Sequence, residues 1–376
     1  MGTTRRVNAR RAHGLDGLRG LAALGILVLH VWMYTQANDP THNVLVDRVI
    51  GEFRTGVELF FVLSAFLLAA PWVAASRGER PAPHLGRFAI RRATRIVPGY
   101  LVALIGSLLL LHGTGHPRDI GLGDLPLFVL FIPNLVPATR NMLDPPMWTM
   151  HVEVSFYLAL PLIGWAITRL ARRWSLSGPL ALCAALIGAS VAWVALSYSA
   201  GWEPEVTWTL PTYLGAFTCG IGAAILVHGR TLHPIHALGL MLAGGSLVLV
   251  NAIWHSGGET GAAGAILRDL PASIGFAAIV AAVAMRPSRI LGVAPLRVLG
   301  AISLGVYLWH MPVLYALQVH DLMPETFWAA LPRVLVPALA LAGASWVLVE
   351  RPALRWSARY TRRAGRVRPR TPVAVR

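Results

Sequence analysis

The sequence predicts an all-α integral membrane protein of about ten transmembrane helices with both termini in the cytoplasm, and three observations carry that prediction. The mean hydropathy is +0.58, with 55% of residues hydrophobic and only 13% charged, too apolar for a soluble domain of 376 residues. Apolar runs long enough to span recur along the whole chain, at 15–35, 56–76, 97–113, 148–169, 178–199, 208–228, 233–253, 270–286, 299–319 and 331–350. Arginine supplies all 33 basic residues, and 26 of them fall on one side: in the N-terminal arm, at 77–96, 169–177, 229–232 and 286–298, and from Arg351 onward. Only Arg48, Arg54, Arg118, Arg140, Arg268 and Arg333 lie on the other side, a positive-inside pattern that places the first side in the cytoplasm.

The chain therefore divides into a basic cytoplasmic arm (1–14), a transmembrane domain (15–352) and a basic, disordered cytoplasmic tail (353–376). Most acidic residues, including Asp39, Asp47, Glu52, Asp144, Glu203, Glu205, Asp321 and Glu325, sit on the outer face. Topology and anionic lipid account for the net charge of +16, so the composition calls for no nucleic acid partner. The arm is no cleavable signal, because a long apolar helix follows it with no small-residue cleavage site.

The first run, LDGLRGLAALGILVLHVWMY, holds Arg19 and His30. Eleven residues separate them by about 16 Å along a helix and return to within about 20° of the same face, so both look into one interior channel. Ionisable groups at this depth are costly unless they face protein, water or substrate. The second run opens on Glu58, and the third is entered through Arg91, Arg92 and Arg95. Residues 125–136, LPLFVLFIPNLV, are apolar but short and broken by Pro126 and Pro133. They read as a re-entrant or interfacial part of a long outer loop, 114–147, where an acceptor could be gripped. The fourth run opens on His151 and Glu153, with Tyr157 one turn below.

Cys183 and Cys219 fall inside apolar spans as packing residues. The pairs His112/His116 and His233/His236 sit at helix exits and give no metal site. His310 lies mid-membrane in the ninth run, either as a structural hydrogen-bonding group or lining a pore, and Glu350 and Arg351 close the tenth. Placed by depth, the polar residues form two layers. The inner one, Asp16, Arg19, Arg91, Arg92, Arg95, Glu350 and Arg351, is cationic enough for a phosphorylated carrier. The outer one, His30, Glu58, His151 and Glu153, holds a base and carboxylates to orient it.

Arg19-x10-His30, GVELFFVLSAFLLA (56–69), RRATRIVPGY (91–100), MWTMHVEVSFYLALPL (147–162) and SLGVYLWHMPV (303–313) resemble, in order, the signature blocks of the acyltransferase-3 family, across about residues 12–352. These are multi-spanning membrane enzymes that acylate bacterial surface glycans, other envelope carbohydrates and some secreted antibiotics. The resemblance implies that Arg19 and His30 are the essential pair on the first helix and that Arg92 and Arg95 form the RxxR element. Glu58 then stands where the family often has Asp, and Glu153 ends its Trp-x-x-x-x-Glu block from Trp148. Ala65 replaces the usual Gly of LSGF, which suggests a slightly looser helix contact.

On this reading acyl-coenzyme A enters from the cytoplasm with its phosphates on Arg91, Arg92, Arg95 and Arg351, and its arm reaches past Arg19 toward His30. His30 takes the proton of an acceptor hydroxyl while Glu58 or Glu153 fixes its tautomer. An acyl-histidine or acyl-serine intermediate stays open as an alternative, and Ser64 reads as a packing hydroxyl. The acceptor is a carbohydrate or a glycosylated metabolite, and no metal is required. A transporter or flippase of a polar solute, with His30 or Glu153 protonated as a coupling step, is the alternative of a different class. No internal repeat between the two halves supports it.

Overall fold

In a lipid hydrocarbon core no water satisfies backbone N–H and C=O groups, so the apolar runs close their hydrogen bonds within themselves as helices. A computed structural model describes residues 2–35, 44–256, 261–267 and 269–363, and among these all regular structure is helical. Asp39, Arg268 and residues 364–376 lie outside the described residues. The helices in chain order are α1 (Gly2–Thr35), α2 (Val44–Gly51), α3 (Gly56–Ser76), α4 (Leu85–Leu111), α5 (Leu125–Val129), α6 (Trp148–Trp174), α7 (Ser177–Ala200) and α8 (Pro204–Thr207). They continue as α9 (Leu210–Val227), α10 (Pro234–Ser256), α11 (Gly261–Ile266), α12 (Leu270–Met285), α13 (Ala294–Ala301), α14 (Ser303–Val319), α15 (Phe327–Ser345) and α16 (Arg351–Arg363).

Every one of the predicted apolar runs is a helix. Among the described residues eight helical segments are long and apolar enough to cross a membrane, and a ninth arises if α13 and α14, bent by 69° at their junction, act as one span. The remaining run is α12, whose 16 residues rise only about 24 Å against a hydrocarbon core of about 30 Å. Residues 125–136 form no span. They fold as the five-residue α5 and a 3-10 turn at Pro133–Leu135, part of a loop tied to the bundle by Tyr100 Oη donating to Phe128 O (2.7 Å). One expectation about the ends is corrected. The basic arm is helical from Gly2 and continuous with the first span, and residues 353–363, read as disordered tail, are helix α16. Alternating burial explains the latter, because Ser357 and Thr361 are buried while Arg355, Trp356, Arg359 and Tyr360 face outward, and Arg91 donates to Thr361.

Two apolar cores form. One joins α3, α6, α7, α9 and α12 around Phe61, Phe156 and Phe217, and the other joins α1, α4, α14 and α15 around Tyr100, Leu104 and Tyr315. Val57, Phe60 and Tyr157 pack against both, so they mark the seam at which the polar residues collect. Missing side chains allow the closest approaches. A Cβ on Gly300 would stand 2.0 Å from the Asp16 carbonyl oxygen, which lets α13 lie directly on α1. A Cβ on Gly220 would stand 2.3 Å from Val62 O and 3.0 Å from the Ala65 Cβ, so α3 and α9 touch tightly. The looser contact expected from Ala65 is thereby corrected: the glycine that permits close packing lies on the partner helix.

Overpacking at such a contact costs about 1–3 kcal/mol. Gly300→Ala is therefore expected to lower the thermal midpoint of the detergent-solubilised protein, whereas Gly188→Ala, which meets nothing within 4 Å, should leave it in place. Equal midpoints for both variants in a dye-based melting assay would remove the α1–α13 contact as a constraint.

Candidate active site

Arg19 on α1, Ser64 on α3, Arg92 and Arg95 on α4, and Glu153 and Tyr157 on α6 line one inner pocket of about 100 Å³. Arg92 and Arg95, three residues apart, share a helix face. The Glu153 carboxylate is the hub: Ser64 Oγ donates to its Oε1 at 3.0 Å, Tyr157 Oη donates to the same oxygen, and Arg19 interacts with it electrostatically. Arg19 Nη1 also lies 3.8 Å from Asp16, and Arg95 Nη1 lies 3.8 Å from Glu350 Oε2. A single π-helical stretch, Trp346–Glu350, presents the buried Glu350 and sets Trp346 under the Arg95 guanidinium, 5.7 Å from the ring centroid. Arg92 has the Tyr157 ring at 5.9 Å and no ion pair among the described residues, and its Nε is buried without a hydrogen-bond partner.

A second, larger chamber of about 990 Å³ opens on the other side of the seam, lined by His30, Arg54, Glu58, Asp269 and an aromatic wall. The Arg54 guanidinium bridges both Asp269 oxygens at 2.7 and 2.8 Å, and Asn251 Nδ2 donates to the same carboxylate at 3.2 Å. Asp269 holds φ +58°, a left-handed conformation that its interactions maintain at the head of α12. Trp148 packs against Trp208 and Tyr213, with ring centroids 5.6 and 5.1 Å away. Outer-loop contacts close the rim: Arg140 pairs with Glu205 at 2.5 Å, and Asn134 Nδ2 donates to Trp208 O at 2.9 Å.

The two spaces share Val57 and Tyr307. Tyr307 is buried on α14; its hydroxyl accepts from Thr149 Oγ1 at 3.0 Å and donates to Pro146 O at 3.2 Å, forming a fixed polar waist. Beside it His30 Nδ1 stands 2.9 Å from Nε2 of the fully buried His310.

This geometry revises several placements. Arg19 and His30 line different pockets that touch at the waist, not one continuous channel. Glu58 shares the His30 chamber, but neither it nor Glu153 is hydrogen-bonded to His30, whose side-chain partner is His310. Glu153 belongs with the inner arginines, because five residues along α6 from Trp148 carry it about 7.5 Å below the rim. Arg92 and Arg95 line the inner pocket; Arg91 does not, since it lies nearer the start of α4 and turns to Thr361 of α16. Arg351 is likewise outside it, exposed at the head of α16, because the π-helical turn before it spends its inward position on Glu350. His151 ties Phe131 O of the outer loop through Nδ1 at 2.8 Å. The reading of the residues left the Arg95–Glu350, Arg54–Asp269 and His30–His310 pairs unseen, since their members are 255, 215 and 280 residues apart. Only the mid-membrane depth of His310 hinted at a role.

Fold and site define a multi-spanning membrane protein whose polar chemistry is gathered into two adjacent pockets that share Val57 and Tyr307 as wall. The acyltransferase-3 family profile, described as an acyltransferase domain, matches residues 12–349, and the chain belongs to that family. It is 25% identical over 373 residues to "Nodulation protein 10" of Rhizobium leguminosarum bv. viciae, covering 94% of this chain and 96% of that protein. It is 24% identical over 378 residues to "Peptidoglycan O-acetyltransferase OatA" of Listeria monocytogenes serovar 1/2a, covering 94% of this chain but only 57% of that protein. No solved structure matches the chain. Family membership favours the acyltransferase over the transporter.

Asp269→Asn removes the charge that faces Arg54 inside the chamber wall. The loss of a charge-assisted pair is worth about 1–3 kcal/mol, so this variant should melt earlier than the parent protein in the same detergent. An unchanged midpoint would show that the pair bears no load.

Proposed function

We propose that the protein is a membrane O-acyltransferase that moves an acyl group, acetyl in the simplest case, from cytoplasmic acyl-coenzyme A to a hydroxyl of an extracytoplasmic carbohydrate or secreted glycosylated metabolite. The observation that carries this reading is the junction of a cationic pocket with a histidine-bearing chamber at Tyr307. Arg92, with a buried unpartnered Nε, and Arg95 would meet the donor phosphates at the pocket's rim.

At the waist the acceptor oxygen attacks the thioester carbonyl carbon as its proton passes to the His30 imidazole. The tetrahedral oxyanion collapses, the C–S bond breaks, and the leaving thiolate takes the proton from the imidazolium. No group of this chain need be acylated. The aromatic wall of Trp148, Trp208 and Tyr213 offers flat faces for the C–H surfaces of sugar rings, and Glu58 offers a hydroxyl acceptor beside them. The name of the Listeria relative, a peptidoglycan acetyltransferase, supports a glycan acceptor.

The arginine distribution supports a cytoplasmic placement of the pocket's rim and both termini. Arg91 donates to Thr361 of α16, and Arg19 of α1 lines the same pocket as Arg92 and Arg95, which supports placing the two ends of the chain on one side.

His30→Ala is expected to abolish acyl transfer from acetyl-coenzyme A while donor binding persists, and Arg92→Ala or Arg95→Ala should weaken donor binding by about 1–3 kcal/mol with less change in the saturated rate. Calorimetric titration with a non-hydrolysable acetyl-coenzyme A analogue reads both; undiminished affinity in the two arginine variants moves the donor elsewhere. Sidedness has its own test. With Cys183 and Cys219 replaced, a cysteine placed at 114–147 should react with an impermeant thiol reagent from outside intact cells and one at 77–84 should not. Labelling of both from one side would refute the transmembrane mechanism.

A further inference from the structure

A hydrogen-bond chain that ends on His30 begins at a backbone carbonyl, and a carbonyl oxygen only accepts. His310 Nδ1 lies 3.1 Å from the carbonyl of Val306, one turn back on α14. In a neutral imidazole this contact requires the proton on Nδ1 and leaves Nε2 of His310 as an acceptor. That Nε2 faces His30 Nδ1 at 2.9 Å, so His30 donates from Nδ1. The Ile26 carbonyl, one turn before His30 on α1, is a further acceptor for the same ring. The proton of His30 is thus confined to Nδ1, and Nε2 keeps its lone pair for the chamber that His30 lines.

We propose that His310 is the positioning residue for His30: it holds His30 in the Nδ1–H tautomer, with Nε2 free to take the proton of the acceptor hydroxyl. The inference rests on the acyl-transfer reading and deepens it, assigning to a neutral imidazole the orienting role that a carboxylate performs in many acid–base sites. His310 suits this role because it is immobile. It is fully buried, its ring centroid lies 6.0 Å from that of Tyr307, and the helix that carries it packs between α1, α4 and α15. As His30 gains a proton during the reaction, its Nδ1–H continues to donate to the same lone pair, so the pair need not rearrange. His310 itself lines neither pocket and touches no substrate.

Two substitutions in the full-length protein separate orientation from mere packing. The side-chain carbonyl of His310→Gln can still accept from His30 Nδ1, whereas His310→Leu fills the space and accepts nothing. Turnover of acetyl-coenzyme A, followed by release of free thiol with a soluble N-acetylglucosamine oligosaccharide as acceptor probe, should fall about 100-fold in kcat for His310→Leu, within the range of a lost acid–base contribution. KM for acetyl-coenzyme A should hold, and His310→Gln should recover at least about tenfold of the loss. In protein carrying ¹⁵N-histidine, the His30 signal, assigned by its absence in His30→Gln, should show the Nδ1–H pattern in the parent and a mixture of tautomers in His310→Leu. An Nε2–H pattern in the parent overturns the proposal, as do equal activities of the Gln and Leu variants or an effect confined to KM. An inactive parent protein that shows the Nδ1–H pattern refutes the acyl-transfer reading and sustains the tautomer assignment.

Discussion

Glu153 is the fixed point of the interior. Its carboxylate accepts hydroxyls from Ser64 on α3 and Tyr157 on its own helix, and it opposes Arg19 on α1. Three half-buried guanidinium groups gathered without an anion would repel one another and lose part of their hydration. One shared oxygen therefore ties α3 to α6, and the charge of the carboxylate faces α1, at the depth where the two apolar cores meet. Asp16 and Glu350 divide the rest of the counter-charge between Arg19 and Arg95, and Arg92 is left with a ring face and an unpartnered Nε. The residues that line the pocket itself, three arginines and Glu153, thus carry a net positive charge, while Asp16 and Glu350 stand outside the lining.

The chamber beyond Tyr307 is organised differently. There Arg54 is paired with Asp269, which stiffens the wall, and the rest of the lining is mostly neutral and aromatic, with Glu58, Arg118 and Glu203 as its other charged groups. Arg54 Nη1 joins the 3-10 turn ahead of α3 to the residue that precedes α12, and Asn251 brings α10 to the same carboxylate. Three elements separated along the chain are locked around one left-handed residue. The short α12 fits this arrangement: it is anchored at its Asp269 end by charge and packs along its length against α3, α9 and α10.

The outer loop completes the chamber by docking, not by crossing. Tyr100 from α4 reaches the Phe128 carbonyl, His151 reaches that of Phe131, and Arg140 reaches Glu205 across the rim. These contacts hold an apolar segment broken by prolines over one end of the bundle. The polar waist at Tyr307 depends on the same loop, because Pro146 supplies the carbonyl to which Tyr307 donates.

Hydropathy and arginine asymmetry by themselves determined that the chain is a helical membrane protein, where its apolar helices run, and that 125–136 is no span. These properties depend on transfer free energy summed over about 20 neighbouring residues, which is local in sequence. Arg19, Arg92, Arg95, Glu153 and His30 were likewise legible as interior residues, because charge at membrane depth is costly wherever the helix packs. Which of them meet was decided by tertiary structure alone. The depth on α6 that sets Glu153 among the arginines, the π-helical turn that aims Glu350 at Arg95 and leaves Arg351 outside, and the bend that sets α14 beside α1 depend on contacts between residues from 89 to 280 positions apart. For the same reason the expected carboxylate partner of His30 gave way to His310: a helical wheel reports which face a side chain shares, but the neighbour it touches is chosen by how two helices pack.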